Sequence, residues 1–280
     1  MKTDLPEDLT RDLPPTTWGK ILSATPVVMT IVATLLAGLA SSEMTTAQYD
    51  RALGAQLQTK AGDQWSYFQA KKLRGAMQRN SLDLLQATAD IRPVANPALV
   101  KVPAAAALSV DSKVEAAMQA VEKQKPETEI AQLLRQVDDN SLAAALQTAK
   151  DNVLAFEAAS APANQAIDQL EKSLPAGDKA AARDVTAARM RYNGGRYDTE
   201  ARLNQSIANL YELQVRKANI SAKRHHRRSS KFFFGMLAAQ AAVIIATLAM
   251  AARKRSFLWS IAAAAGIAAI VFAIYVYLRV

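Results

Sequence analysis

The stretch ILSATPVVMTIVATLLAGLA, residues 21–40, contains no Asp, Glu, Lys, Arg or His, and FFFGMLAAQAAVIIATLAMAA (232–252) and FLWSIAAAAGIAAIVFAIYVYL (257–278) share that property. An apolar run of about 20 residues, rising about 1.5 Å per residue, just crosses a hydrocarbon core of roughly 30 Å, and a lone segment satisfies its own backbone there only as a helix. The three runs predict an all-α membrane protein with three transmembrane helices. A large helical, coiled-coil-like soluble domain is inserted between the first and second spans. Carriers, pumps and voltage sensors usually place an ionisable residue at membrane depth. None occurs in these runs, so the apolar part reads as an anchor. The expected organisation is a disordered tail over 1–17, spans at 18–42, 231–252 and 257–280, a helical stalk and soluble domain over 43–230, and a basic hairpin turn at 253–256.

The net charge of +9 is concentrated. Residues 1–20 and 21–215 are close to neutral, and the surplus lies beside the apolar runs. Arg216, Lys217, Lys223, Arg224, Arg227, Arg228 and Lys231 come without an acid among them, and Arg253, Lys254 and Arg255 fill the short turn. Clusters of this kind suit anionic lipid headgroups, at about 1 kcal/mol per basic residue near the surface. Nucleic acid is the competing reading of a basic run. The cluster abuts Phe232 to Phe234, which places it against headgroups and argues for lipid and against nucleic acid.

Several chemistries are poorly supplied. The chain has no cysteine, which excludes disulfides and thiolate chemistry. Its two histidines, His225 and His226, are adjacent and point about 100° apart on a helix, so they do not share an ion easily. No glycine-rich phosphate loop, H-E-x-x-H, nucleophile elbow or Rossmann fingerprint occurs. A Ser/His/Asp arrangement would have to recruit one of those histidines, whose basic neighbours oppose the imidazolium that general-base catalysis forms. No catalytic activity, cofactor or metal is expected. Gly38-Leu39-Ala40 resembles a secretory cleavage site, but the apolar core is long for a signal and four acids precede it, so an uncleaved anchor is the better reading.

Between the runs the pattern is helical. Residues 43–90 hold no proline, and Tyr49, Leu53, Leu57, Trp65, Phe68, Met77, Leu82 and Leu85 mostly fit one face, predicting a long helix that can continue from the first span. Gly54, Gly62 and Gly75 each weaken it, with a bend or break allowed near Gly62. Pro93, Pro97 and Pro103 impose an extended connection, the turn expected farthest from the membrane. Shorter helices are then expected from Asp111 to about Gln124, from Pro126 through Val137, from an Asn140-Ser141 cap through Ala158, and from Ala163 to Leu174 after Pro162. Pro175 to Asp178 is a break, and Lys179 to Ser230 runs into the second span. Asn193-Gly194-Gly195 is a turn signal, although no strand pattern flanks it. Leu203, Ile207, Leu210 and Leu213 form an amphipathic face whose nearest partner is the helix of 43–90, predicting an antiparallel stalk with Trp65 and Phe68 in the contact. Small residues recur at four-residue spacing in the second and third runs, including Gly235, Ala239, Ala242 and Ala246, and then Ala262, Gly266, Ala269 and Ala273, which lets those helices approach closely. No internal repeat of fixed period stands out.

The most distinctive stretch is Asp63 to Arg74, with three aromatics in four residues. On a helix Trp65 and Phe68 share a face, while Tyr67, Lys71 and Arg74 share another, where a cation can lie over a ring. Trp65, Tyr67, Phe68, Gln69 and Lys71 are the candidate interaction patch. Either the patch locks the stalk helices together or it binds a ligand or partner. That stretch, the His225-His226-Arg227 group and Arg253-Lys254-Arg255-Ser256-Phe257-Leu258-Trp259 together resemble the bacterial family catalogued as domain of unknown function 4337. Residues 91–175 are alanine-rich and depart from the resemblance. The resemblance implies a three-span protein of a bacterial membrane, supplies no catalytic residue, and gives added weight to Trp65, Tyr67, Gln69, Ala70 and Lys71.

The expected function is a membrane-anchored scaffolding or interaction protein that self-associates as a homo-oligomer, with anionic lipid as a contact. The alternatives are a membrane sensor that binds a ligand or partner near Trp65 to Lys71, and an oligomeric pore or transport accessory using Thr25, Thr30, Thr34, Gln240 and Thr247. Seven basic residues on the domain side of the second span against three in the turn orient the domain to the cytoplasm of an inner membrane, although the charges flanking the first span lean weakly the other way.

Overall fold

A computed structural model describes residues 17–96, 101–251 and 255–279, and among them the chain is all-α, without a strand. The helices are α1 (Thr17–Thr88), α2 (Ser112–Glu122), α3 (Glu127–Leu134), α4 (Asp139–Ser173), α5 (Lys179–Ala251) and α6 (Arg255–Arg279). The expected tail before Thr17, Pro97 of the extended connection, and Arg253 and Lys254 of the turn lie outside the described residues. The chain forms two compact units, one from the residues up to Arg51 and from Ile220 onward, the other from Ala52–Asn219.

The first unit packs the early part of α1 with the late part of α5 and with α6. Its interior is built from small side chains. Ala33, Ala239 and Ala269 form one buried cluster, and Leu36, Ala40, Phe232 and Val276 form another. A Cβ on Gly266 would take the space that the end of the Met29 side chain fills, so a larger residue there would displace that side chain. Several of the anticipated small residues do turn inward, among them Ala239, Ala242, Ala246, Ala262 and Ala269. The large apolar side chains turn outward instead: Leu35, Phe234, Ile244, Val271 and Leu278 are exposed. By length and composition, α1 and α5 are long and apolar enough to cross a membrane, and the apolar part of α6, Ser260–Val276, is shorter. Where α1 and α5 continue below this packing, His225 Nδ1 lies 2.5 Å from Glu43 Oε2, and the Ser229 hydroxyl donates to the Ala40 carbonyl at 2.7 Å.

In the Ala52–Asn219 unit α1 and α5 run antiparallel. Trp65 faces Glu212, Lys71 pairs with Glu200, and Arg79 pairs with Asp198. The seam between them has a period of seven. Gly54, Ala61, Phe68, Gly75 and Leu82 follow one another along α1, and Ala187, Gly194, Ala201, Ala208 and Val215 along α5; all are buried except Phe68, which is half-buried. A strict seven-residue repeat is the mark of a left-handed coiled coil. Small residues in the seam let the backbones come close: a Cβ on Gly75 would sit 3.5 Å from the Gly194 carbonyl oxygen. This repeat is carried mostly by small residues, so in an alanine-rich chain it does not stand out from the sequence.

Three expectations need correction. The Asn193-Gly194-Gly195 turn signal is overridden, because α5 continues through it, with Gly194 against α1 and Gly195 against Val102. Pro162 does not divide the alanine-rich middle, since α4 is one helix with that proline inside it. An interior proline costs about 3 kcal/mol, and the burial of Ala163, Ile167 and Tyr192 around it opposes that cost. The cap of α4 is Asp138, whose carboxylate accepts from the Asn140 amide at 3.0 Å, two residues before the expected Asn140-Ser141 cap. Other signals hold: Asp111 caps α2 through Lys113 N at 2.8 Å, and Asp178 opens α5 by accepting from Ala180 N and Ala181 N. Between α4 and α5, Arg189 donates to Glu171 at 2.6 Å; that hydrogen bond and the carboxylate's charge hold the guanidinium above its usual range.

Candidate functional site

Trp65 reaches one wall of a groove of about 440 Å³ in the Ala52–Asn219 unit. Gln205, Asn209, Glu212 and Arg216 on α5 form another wall, and the α2–α3 turn, from Val121 to Glu127, forms the rim. The indole Nε1 donates to Glu212 Oε1 at 2.7 Å. Phe68 supports the ring edge-on, with centroids 5.4 Å apart. Arg216 lies between two carboxylates, its Nε 3.6 Å from Glu127 Oε2 and its Nη2 3.8 Å from Glu212 Oε2. Asn209, almost fully buried, donates to Glu122 Oε1 at 2.9 Å.

At the rim Gln124 takes a left-handed conformation, with φ of 50°, and the Lys125 amide closes the end of α2 onto the Ala120 carbonyl at 2.9 Å. Helix ends of this kind prefer glycine, because a Cβ costs about 1–2 kcal/mol there. The strain is stored beside the groove, where such strain is common at binding sites.

Each carboxylate in this groove already has a partner: Glu122 an amide, Glu127 a guanidinium, Glu212 an indole and the same guanidinium. The arrangement presents a half-buried aromatic face among three carboxylates and the cations Lys125 and Arg216, where an incoming cationic group would compete with Arg216 for Glu127 and Glu212. Among the described residues no cluster of three or more His, Cys, Asp or Glu could hold a metal ion.

The structure separates the residues of the expected patch. Trp65 and Phe68 turn toward the groove and the seam, while Tyr67 and Gln69 are exposed. Lys71 does not lie over Tyr67; it pairs with Glu200 and sits 5.4 Å from the Tyr197 ring of α5. The expected headgroup cations also divide. Arg216 belongs to the groove, and Lys217 bonds Asp139 at 2.6 Å and the Val137 carbonyl at 2.5 Å. Arg228 lies 3.6 Å from Glu43, and Lys231 lies 5.8 Å from the Tyr275 ring. Lys223, Arg224 and Arg227 are exposed; Arg255 begins α6, and its side chain lies outside the description. Sequence reasoning missed Glu212, Asn209 and Gln124. Their chain separation from Trp65 hides the first two, and no residue pattern marks a left-handed glutamine.

Taken together, the structure is that of an all-helical protein with two helices long and apolar enough to cross a membrane and a helical unit carrying an aromatic groove. Residues 18–161 match the family described as Domain of unknown function (DUF4337), and the chain belongs to it. No curated protein and no solved structure matches the chain.

Proposed function

We propose that this is a three-span, membrane-anchored helical interaction protein, without catalytic activity, that self-associates. The membrane part of this reading is supported by the outward apolar surface. Only 22 % of the apolar window of α1 and 33 % of that of α5 are buried, whereas a helix in a soluble core is buried on most sides. Thr30, Thr34 and Thr247 donate to the carbonyls four residues before them, which suits hydroxyls in lipid and leaves them poor lining for a pore.

One observation carries self-association. On the outer face of α1, away from the seam, Tyr67, Leu73, Met77 and Leu84 are each more than half exposed, with the exposed Ala70 between them. Their spacing of 3, 3, 4 and 7 keeps them on one exposed face of α1, a stripe open to a partner. A second copy anchored in the same membrane presents the same stripe in parallel, so the contact is isologous. The double substitution Leu73→Glu and Met77→Glu should convert a cross-linkable dimer in mild detergent to monomer and leave helix content unchanged. A wild-type protein that stays monomeric at every concentration, or a variant that cross-links equally well, removes the reading.

The finer placement is an inner bacterial membrane with the helical domain in the cytoplasm and Lys223, Arg224 and Arg227 at anionic headgroups, supported by the imbalance of basic residues across α5. Protease applied outside spheroplasts should leave residues 43–230 intact. Cleavage there would reverse the orientation.

A second reading, a membrane sensor, is favoured by the groove that leaves Trp65 half exposed. Spermidine, added as a cationic probe, should then shift the Trp65 emission saturably, and Glu212→Gln should weaken the shift. An unchanged spectrum would speak against the groove as a cation site.

A further inference from the structure

A cavity of about 680 Å³ in the Ala52–Asn219 unit lies away from the Trp65 groove, beneath the chain segment 101–108 and against α4 and α5. Its charged lining is one-signed: Lys101 and Arg202 face it, and no acid does. Neither cation has an ion-pair partner among the described residues, whereas Lys71, Arg79, Arg196 and Arg216 of the same unit are all paired. The rest of the wall is mixed: Leu108, Leu203 and the buried Ala149 give it an apolar side, and Asn152, Thr199 and Ser206 a polar one.

The polar lining limits what can enter. The Thr199 and Ser206 hydroxyls donate to the Gly195 and Arg202 carbonyls at 3.1 and 3.2 Å, so toward the cavity they present lone pairs. Side-chain donors therefore come from the two cations and from the Asn152 amide, which otherwise makes only a long 3.5 Å contact to the Ala106 carbonyl. Gly195 lets the covering segment lie close, since a Cβ there would meet Val102 Cγ2 at 2.9 Å.

We infer that this cavity is a binding site for an amphipathic organic anion, its carboxylate or phosphate held by Lys101 and Arg202 and its apolar body against Leu108, Leu203 and Ala149. The volume falls within the range of about 300–1,000 Å³ usual for small-molecule sites. An inorganic anion alone would leave the apolar wall uncovered. The inference is independent of self-association and of the Trp65 groove.

The test uses the full chain in nanodiscs of zwitterionic lipid, titrated calorimetrically with octanoate, octanol or inorganic phosphate, with empty nanodiscs as the blank. Saturable octanoate binding is expected, with octanol and phosphate each at least tenfold weaker. The double variant Lys101→Gln, Arg202→Gln, whose side chains are exposed and whose folding should be unaffected, should weaken octanoate at least tenfold. Ala149→Leu, which fills the floor, should do the same at unchanged helix content. Absence of saturable octanoate binding overturns the proposal. So does octanoate affinity unaltered in the double variant, or phosphate binding as tight as octanoate.

Discussion

Replacing Tyr192 with Ala should lower the stability of the helical domain by about 3–5 kcal/mol, the range for deleting a buried aromatic ring. Tyr192 is 2 % exposed and packs with Ala163 and Ile167 of α4, beside Pro162. That contact fastens α4 to α5 where the proline weakens α4. Its hydroxyl contributes little, because the bond to the Ser160 carbonyl is long, at 3.4 Å. Tyr192→Phe should therefore cost about 1 kcal/mol or less. Thermal unfolding of the full chain in detergent, followed by circular dichroism, separates the two. At about 2–4 °C per kcal/mol for a domain of this size, the Ala variant should melt about 6–20 °C lower. Equal losses in the Phe and Ala variants would place the stabilisation in the hydrogen bond and refute the packing account.

Ala201→Leu should cost about 1–3 kcal/mol through overpacking. Ala201 has no exposed surface and belongs to the seven-residue seam. Helix propensity does not account for such a loss, since Ala and Leu differ little in a helix interior. Ala144→Leu, on an exposed face of α4 outside the seam and the outer α1 stripe, is the control and should fall within about 0.5 kcal/mol of wild type. If Ala201→Leu unfolds at the wild-type midpoint, the small residues of the seam reflect alanine enrichment alone.

Both substitutions probe features that residue patterns only partly disclose. The long helix from 43 onward was legible, because no proline interrupts it and its apolar residues keep a helical period. The breaks at Pro93 and at Pro175 to Asp178 were legible for the converse reason. Pro162 and Asn193-Gly194-Gly195 misled, because a local signal is a preference of about 1–3 kcal/mol per residue, and packing against Tyr192 in one case and α1 and Val102 in the other exceeds it. Of the candidate site, the aromatic stretch from Trp65 to Phe68 was visible in the sequence. Its partner Glu212 was not, since nothing in the spacing of two distant segments states which residues meet.

The sequence by itself determined that the protein is helical, marked three apolar runs, two of which lie in helices long and apolar enough to cross a membrane, and showed where charge accumulates beside them. These properties follow from composition and period, which each segment carries locally. Only the tertiary structure decided that Trp65 and Tyr67, two residues apart, face a groove and open solvent, and that Arg216 and Lys217 are held by acids from α3 and α4. It alone brought Lys101 and Arg202 to one cavity. The reason is geometric: helical period assigns a residue to a face of its own helix, whereas the register between α1 and α5 is set by the fit of small side chains across the seam, and that fit exists only once both helices are in place.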